Sequence, residues 1–123
     1  EKYDPADFSK PVAVYSIPGL VQGFCVKNDG SIVVSTSWSV TSSKFYIYEP
    51  QNIVKTGQKY KGADVFFLTE PSQTINAPAM SEDLDIIKTK EGKEKSITMF
   101  ESACNKYIFG KLFFANYIAG LGL

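Results

Sequence analysis

Apolar and polar residues alternate in short runs along most of this chain, and a period of two residues is typical of β-strands with one buried face. Within the run 31–37, for example, Ile32, Val34 and Thr36 share one face of the predicted strand. The predicted strands are 12–17, 20–27, 31–37, 44–49, 63–69, 81–88, 96–101, 105–110 and 113–118. The pattern therefore predicts an all-β chain of about eight to nine strands.

The remaining segments favour connections over helices. No run has a sustained period of 3.6 residues over an ordinary helix length, and one short helical turn is predicted within 102–107. The segments 50–61 and 71–78 are polar or contain proline, and both are predicted as connections.

The strand pattern occurs twice, in repeats that span about 20–69 and 81–123. The Asp29-Gly30 pair suits the positive φ of a tight hairpin turn in the first copy, and Gly92 lies in a charged turn of the second. Four short strands joined in up-and-down order form a blade of a β-propeller. We therefore predict two four-stranded antiparallel propeller-like blades over 1–123. The alternative is a small β-barrel or sandwich in which two hairpins resemble each other by chance.

The repeat count predicts that this chain does not work alone. A propeller needs at least about four blades to close around its channel, and the strand at 11–17 fits only the outer edge of a preceding blade. We therefore expect another polypeptide chain, or a further copy in an oligomer, to complete the propeller. The chain begins at Glu1 instead of Met, so we expect a processed chain, secreted or extracytoplasmic.

Composition excludes several kinds of chemistry. Basic and acidic residues both number 13, which argues against nucleic acid as the main partner. The chain contains no His, so no Ser-His-Asp or Cys-His nucleophile can form within it. Cys25 and Cys104 match no metal-binding spacing and are either free thiols or bonded to each other. The longest apolar stretch, 112–123, is too short to span a bilayer.

Two segments of the sequence resemble blades of known propellers. Residues 19–49, GLVQGFCVKNDGSIVVSTSWSVTSSKFYIYE, resemble the calcium-dependent six-bladed group, which includes gluconolactonase-like and strictosidine synthase-like proteins, and the related NHL repeats. Residues 76–86, NAPAMSEDLDI, and 96–111, SITMFESACNKYIFGK, resemble the final blade of uncharacterised bacterial and eukaryotic propeller proteins. The resemblance implies a six-bladed fold with a ligand site at one mouth of the central channel.

The resemblance also implies which residues reach that mouth. Gln22 and Glu82 occupy matching places at the starts of inner strands, so we expect their side chains to face the same end of the channel. The loops after the second strands bring four more candidate ligand-binding residues near that end: Ser37, Trp38, Glu101 and Ser102.

These candidates suggest two kinds of chemistry. Glu82 and Glu101 are possible oxygen ligands for calcium, which would polarise an ester or lactone carbonyl. The alternative is that both are surface charges. Trp38 is the only tryptophan, and it either stacks on a sugar or another ring of a small-molecule ligand or caps the edge of a blade.

The sequence leaves two functions open. The first is a binding or interaction protein whose channel is completed by another chain. The second is a calcium-dependent lactonase or esterase-like hydrolase, whose activity would depend on the acidic residues at the channel mouth.

Overall fold

In a computed structural model of the protein, residues 1–38, 41–79, 81–101 and 116–120 are described. Within these ranges the chain is all-β, as predicted, and its one helical element is a 3-10 turn at Pro50–Asn52. The strands are β1 (Ala13–Ser16), β2 (Val21–Val26), β3 (Ile32–Thr36), β4 (Ser42–Tyr48), β5 (Ile53–Tyr60), β6 (Ala63–Leu68), β7 (Gln73–Ala79), β8 (Ser81–Lys88), β9 (Glu94–Glu101) and β10 (Asn116–Gly120).

The central element is a four-stranded antiparallel sheet in the order β2-β3-β4-β7. The predicted hairpin turn joins β2 to β3. Gly30 adopts a φ of 85°, and the Ser31 amide donates a 2.8 Å hydrogen bond to the Asp29 carboxylate. The local sequence therefore encodes this turn, because Asp supplies the acceptor and Gly tolerates the positive φ.

Two three-stranded sheets accompany it. One has the order β1-β6-β5, with β1 parallel to β6 and β5 antiparallel to β6. The other has the order β10-β9-β8 and is antiparallel throughout. Its β8–β9 turn contains Gly92 at a φ of 77°, which agrees with the predicted charged turn.

Two of the predicted connections are strands. The segment 50–61 contains β5, and 71–78 lies largely within β7. Most of β5 is exposed, so its sequence does not need the alternation of apolar residues that marks a half-buried strand. Lysines and a Pro are typical of edge strands, where they discourage pairing with other chains, and β5 and β7 both lie at sheet edges.

The first sequence copy, 20–69, is divided between two sheets. Strand β4 pairs with β7, whereas β6 pairs with β5 and β1. Consecutive up-and-down pairing of four strands is therefore not the arrangement of this copy. The predicted strand 105–110, the helical turn within 102–107 and Cys104 lie outside the described residues.

The four-stranded sheet carries a hydrophobic cluster on each face, because neighbouring residues of β3 point in opposite directions. On one face, β8 contributes to a cluster of Cys25, Val33, Phe45, Ile47 and Leu84. On the other face, β6 contributes to a cluster of Ile32, Val34, Tyr48 and Leu68. The central sheet is thus packed between the other two.

Strand β8 crosses β2 at very short range. A Cβ placed on Gly23 would lie 2.5 Å from the carbonyl carbon of Asp83 and 2.6 Å from the amide nitrogen of Leu84. Both strands have a register shift at this crossing, and Asp83 adopts a φ of 55°. The Thr98 hydroxyl contacts the Asp83 carbonyl oxygen at 2.9 Å and the Ser81 hydroxyl at 2.9 Å. These bonds fix the bulge in β8.

Candidate ligand-binding site

One end of the central sheet face remains open. The β1-β6-β5 sheet packs near Ile32 and Tyr48. Further along β3 and β4, the same face forms one side of a pocket of about 210 Å³ beneath the loop after β3. Because this pocket combines apolar, hydroxyl and cationic side chains, it is the best candidate for a ligand site among the described residues.

Strand register aligns two polar residues of this pocket, Thr36 and Lys44, with a third polar residue, Asn76, outside its lining. Thr36 of β3 pairs with Lys44 of β4, and Lys44 pairs with Asn76 of β7. Directly opposed residues in an antiparallel sheet share a face. The result is a polar row across three neighbouring strands, with Tyr46 beside it in the pocket.

Trp38 stands at the edge of the pocket with 64% of its surface exposed. Hydrogen bonds link Trp38 and Ser37 to other described residues. The Thr41 amide and hydroxyl both donate to the Trp38 carbonyl oxygen, at 3.1 Å and 2.6 Å. The Ser37 amide donates to the Leu20 carbonyl oxygen at 3.2 Å. The Trp38 backbone is therefore held by hydrogen bonds, while its indole is exposed to solvent.

Leu20 adds a second exposed apolar group to the pocket. It is 57% exposed and adopts a φ of 62°, which is uncommon for a residue with a Cβ. Backbone strain of this kind costs about 1–3 kcal/mol and often occurs at ligand clamps. Leu20 and Trp38 thus give the pocket an apolar rim.

The described lining of the pocket carries one positive charge, that of Lys44. Lys44 is exposed and makes no ion pair with any residue in the described part of the chain. No carboxylate belongs to the described lining, which instead contributes the hydroxyls of Thr36, Thr41 and Ser42. An anionic or hydroxyl-rich ligand would find complementary groups there.

Two of the predicted site residues, Ser37 and Trp38, lie in this pocket. Gln22 and Glu82 do not line it. Gln22 is the extra residue at the register shift of β2 and is exposed, whereas Glu82 is half-buried near the start of β8. Their neighbours Gly23 and Asp83 are in contact, so the two residues flank one crossing point of two packed strands.

The remaining two predicted residues belong to the end of β9 and beyond it. The backbone of Glu101 pairs with Asn116 of β10, and its side chain is outside the described part. Ser102 also lies outside the described residues. A calcium site at Glu82 and Glu101 stays a prediction, and no group of three or more His, Cys, Asp or Glu residues that could hold a metal occurs in the described ranges.

Sequence reasoning missed the other six residues of the described lining, which are Leu20, Thr36, Thr41, Ser42, Lys44 and Tyr46. The alternation in 44–49 correctly places Lys44 and Tyr46 on one face of a strand. That signal alone does not reveal which part of the face is covered by another sheet. Only the packing of β6 and β1 shows that the Tyr48 end is buried and the Lys44 end is open.

Two titratable groups away from the pocket have shifted pKa values. Ion pairs with Lys55 and Lys59, both at 2.7 Å, hold the pKa of Asp64 below its ordinary value. Burial raises the pKa of the Cys25 thiol, and the nearby Ser96 hydroxyl offsets part of that rise. Cys25 is therefore suited to packing between the sheets more than to reaction as a thiolate.

Comparison with known proteins adds no family assignment. No family model matches the chain, and no curated protein or solved structure matches it. Across the described ranges, no helix has the length and apolar character needed to cross a membrane.

Proposed function

We propose that this protein is a binding or interaction protein and that the pocket at Trp38 is its ligand site. The observation that carries the proposal is the exposed indole beside a pocket with hydroxyls, one lysine and no described carboxylate. An amphipathic aromatic side chain at the edge of a concave site is a common anchor for recognition. The proposed role is recognition, because the described lining offers an exposed ring, hydroxyls and an ammonium as contact groups.

We also propose that another polypeptide chain, or further blades of the same propeller, covers part of the surface. Val54 and Phe67 are directly paired on β5 and β6, and they are 47% and 50% exposed. Adjacent exposed apolar side chains on a sheet favour burial against a partner. We therefore propose two functional surfaces, a ligand pocket at Trp38 and a separate apolar contact surface at Val54 and Phe67.

The ligand proposal is tested with purified chain and a mixed panel of immobilised oligosaccharides, nucleosides and peptides. Trp38→Ala should reduce capture about fivefold or more, because stacking on an exposed aromatic contributes on the order of 1–3 kcal/mol. Phe8→Ala is the matched control, since Phe8 is also exposed but does not line the pocket. Equal capture by the wild type and Trp38→Ala, at equal thermal stability, would contradict the proposal.

A further inference from the structure

The polar row on the open sheet face indicates what kind of ligand would fit. Thr36, Lys44 and Asn76 occupy consecutive strands at one level of the sheet. Neighbouring strands are about 4.8 Å apart, so the row extends about 10 Å from β3 to β7. A ligand that contacts the whole row must be extended and must carry polar groups along its length.

The chemical groups of the row suit a carbohydrate. Hydroxyl and amide side chains both donate and accept hydrogen bonds, as the hydroxyls of a sugar do. The indole of Trp38 offers a flat apolar surface for the C–H face of a pyranose ring. Thr36 and Ser42 lie in the same pocket as the indole, so one ring could make both kinds of contact.

The positive charge of Lys44 favours an acidic sugar over a neutral one. Lys44 is the middle residue of the row, and no described carboxylate lines the pocket around it. A neutral sugar would leave this ammonium without a counter-charge, whereas a sugar acid would supply one. An ammonium–carboxylate hydrogen bond is roughly twice as strong as a neutral one.

We propose that the open face binds an oligosaccharide of the uronic-acid class. One sugar ring stacks on Trp38, and a ring carboxylate accepts a hydrogen bond from the Lys44 ammonium. Asn76 contacts a hydroxyl of a neighbouring sugar at the β7 edge. This inference rests on the proposed binding function of the pocket and adds the chemistry of the ligand.

The experiment uses the single tryptophan as its reporter. Because Trp38 is the only Trp in the chain, a change in indole fluorescence reports on the pocket directly. The full chain is titrated with a trimer of galacturonic acid and with the neutral galactose trimer of the same linkage. Calorimetry on the same samples gives Kd values for each variant.

We expect a blue shift of the emission with the acidic trimer and about two- to fivefold weaker binding of the neutral trimer, because an exposed ion pair contributes up to about 1 kcal/mol. Lys44→Ala should reduce the affinity for the acidic trimer to that for the neutral one, and Lys44→Arg should retain most of it. Lys90→Ala, in the exposed β8–β9 turn, is the matched control and should bind as the wild type does. Affinity should also fall with added salt, because the contact is electrostatic.

The outcomes separate this inference from the proposed function. Equal binding of both trimers, or no effect of Lys44→Ala, would overturn the uronic-acid assignment and leave a binding site at Trp38. A fluorescence response only to a peptide or a nucleoside would overturn the carbohydrate class. If no panel member binds in a Trp38-dependent way, both the inference and the proposed function fail. Melting curves of each variant confirm that a loss of binding is not a loss of fold.

Discussion

At the scale of single residues, Gly23 is the position where the fold allows least change. Strand β8 occupies the space that a Cβ at Gly23 would need, and the two atoms nearest to that position are backbone atoms of Asp83 and Leu84. A side chain there cannot be accommodated by a rotamer change. One of the two sheets would have to move.

We expect Gly23→Ala to lower the free energy of unfolding by about 1–3 kcal/mol, because overpacking forces backbone shifts. The urea midpoint of the purified chain measures this. Gly19→Ala is the control, since a Cβ at Gly19 would meet nothing within 4 Å. A midpoint that falls equally in both variants would show that the crossing of β2 and β8 is not the cause.

The ionisation of Asp64 should affect how the free energy of unfolding depends on pH. Its pKa is lowered in the folded protein by Lys55 and Lys59, so its contribution is present above the unfolded value of about 3.9 and is lost as pH falls through the folded value. Asp64→Asn should therefore make stability less dependent on pH below about pH 4. The effect should be small and should shrink with salt, because the pairs are exposed.

Chemical denaturation at a series of acidic pH values measures the Asp64 effect. Glu91→Gln, in the exposed β8–β9 turn, serves as the control for loss of one negative charge. An unchanged acid dependence in Asp64→Asn would contradict the role assigned to the Lys55 and Lys59 pairs.

At the scale of elements, the bulge in β8 depends on one hydroxyl. Thr98 Oγ1 contacts the Glu82 and Asp83 carbonyl oxygens and the Ser81 hydroxyl, and Thr98 is buried. Thr98→Val keeps the shape but removes the polar group, so it should cost about 1–3 kcal/mol. Thr56→Val removes a hydroxyl that contacts the Val65 carbonyl oxygen on the exposed strand β5, and its cost should be smaller. A thermal melt that ranks these two variants in the opposite order would contradict this account.

The elements also show how far sequence reasoning reaches. The Asp29-Gly30 turn and the alternation in β3 and β4 were predictable, because adjacent residues determine them. Strand β5 was not predictable from the sequence, because an exposed edge strand has no apolar face that would produce an alternating pattern. The crossing at Gly23 was equally hidden, because nothing near Gly23 in the sequence identifies Asp83 as its neighbour.

The candidate site also contains residues that were predictable from the sequence and residues that were not. Trp38 was predictable as a candidate because it is an isolated aromatic in a Ser/Thr-rich loop. Lys44 and Asn76 required the pairing of β4 with β7, and the predicted order of strands did not contain that pair. Gln22 and Glu82 were linked by their places in the repeat, and their surroundings depend on a strand crossing that the repeat does not specify.

At the scale of the whole molecule, the proposed partner surface predicts the behaviour of the isolated chain. Because Val54 and Phe67 are exposed and adjacent, the chain alone should form soluble oligomers. Light scattering during size-exclusion chromatography measures this. The double variant Val54→Thr, Phe67→Thr should shift the population towards monomer, whereas Lys88→Thr, on the exposed end of β8, should not. A monodisperse wild-type monomer with a cooperative melt would refute the need for a partner.

The parallel pairing of β1 with β6 has a consequence for the order of assembly. Ala13 pairs in register with Asp64, so the chain between them must close before β1 joins the β1-β6-β5 sheet. Closing a loop of that length costs about 3.5 kcal/mol of chain entropy beyond a constant. Closing the short turns of the hairpins β2–β3 and β5–β6 costs much less chain entropy, so these hairpins form sooner. Strand β1 therefore pairs with β6 late in folding, after the β5–β6 hairpin has formed. Removing the β1 pairing would speed unfolding more than it would slow folding.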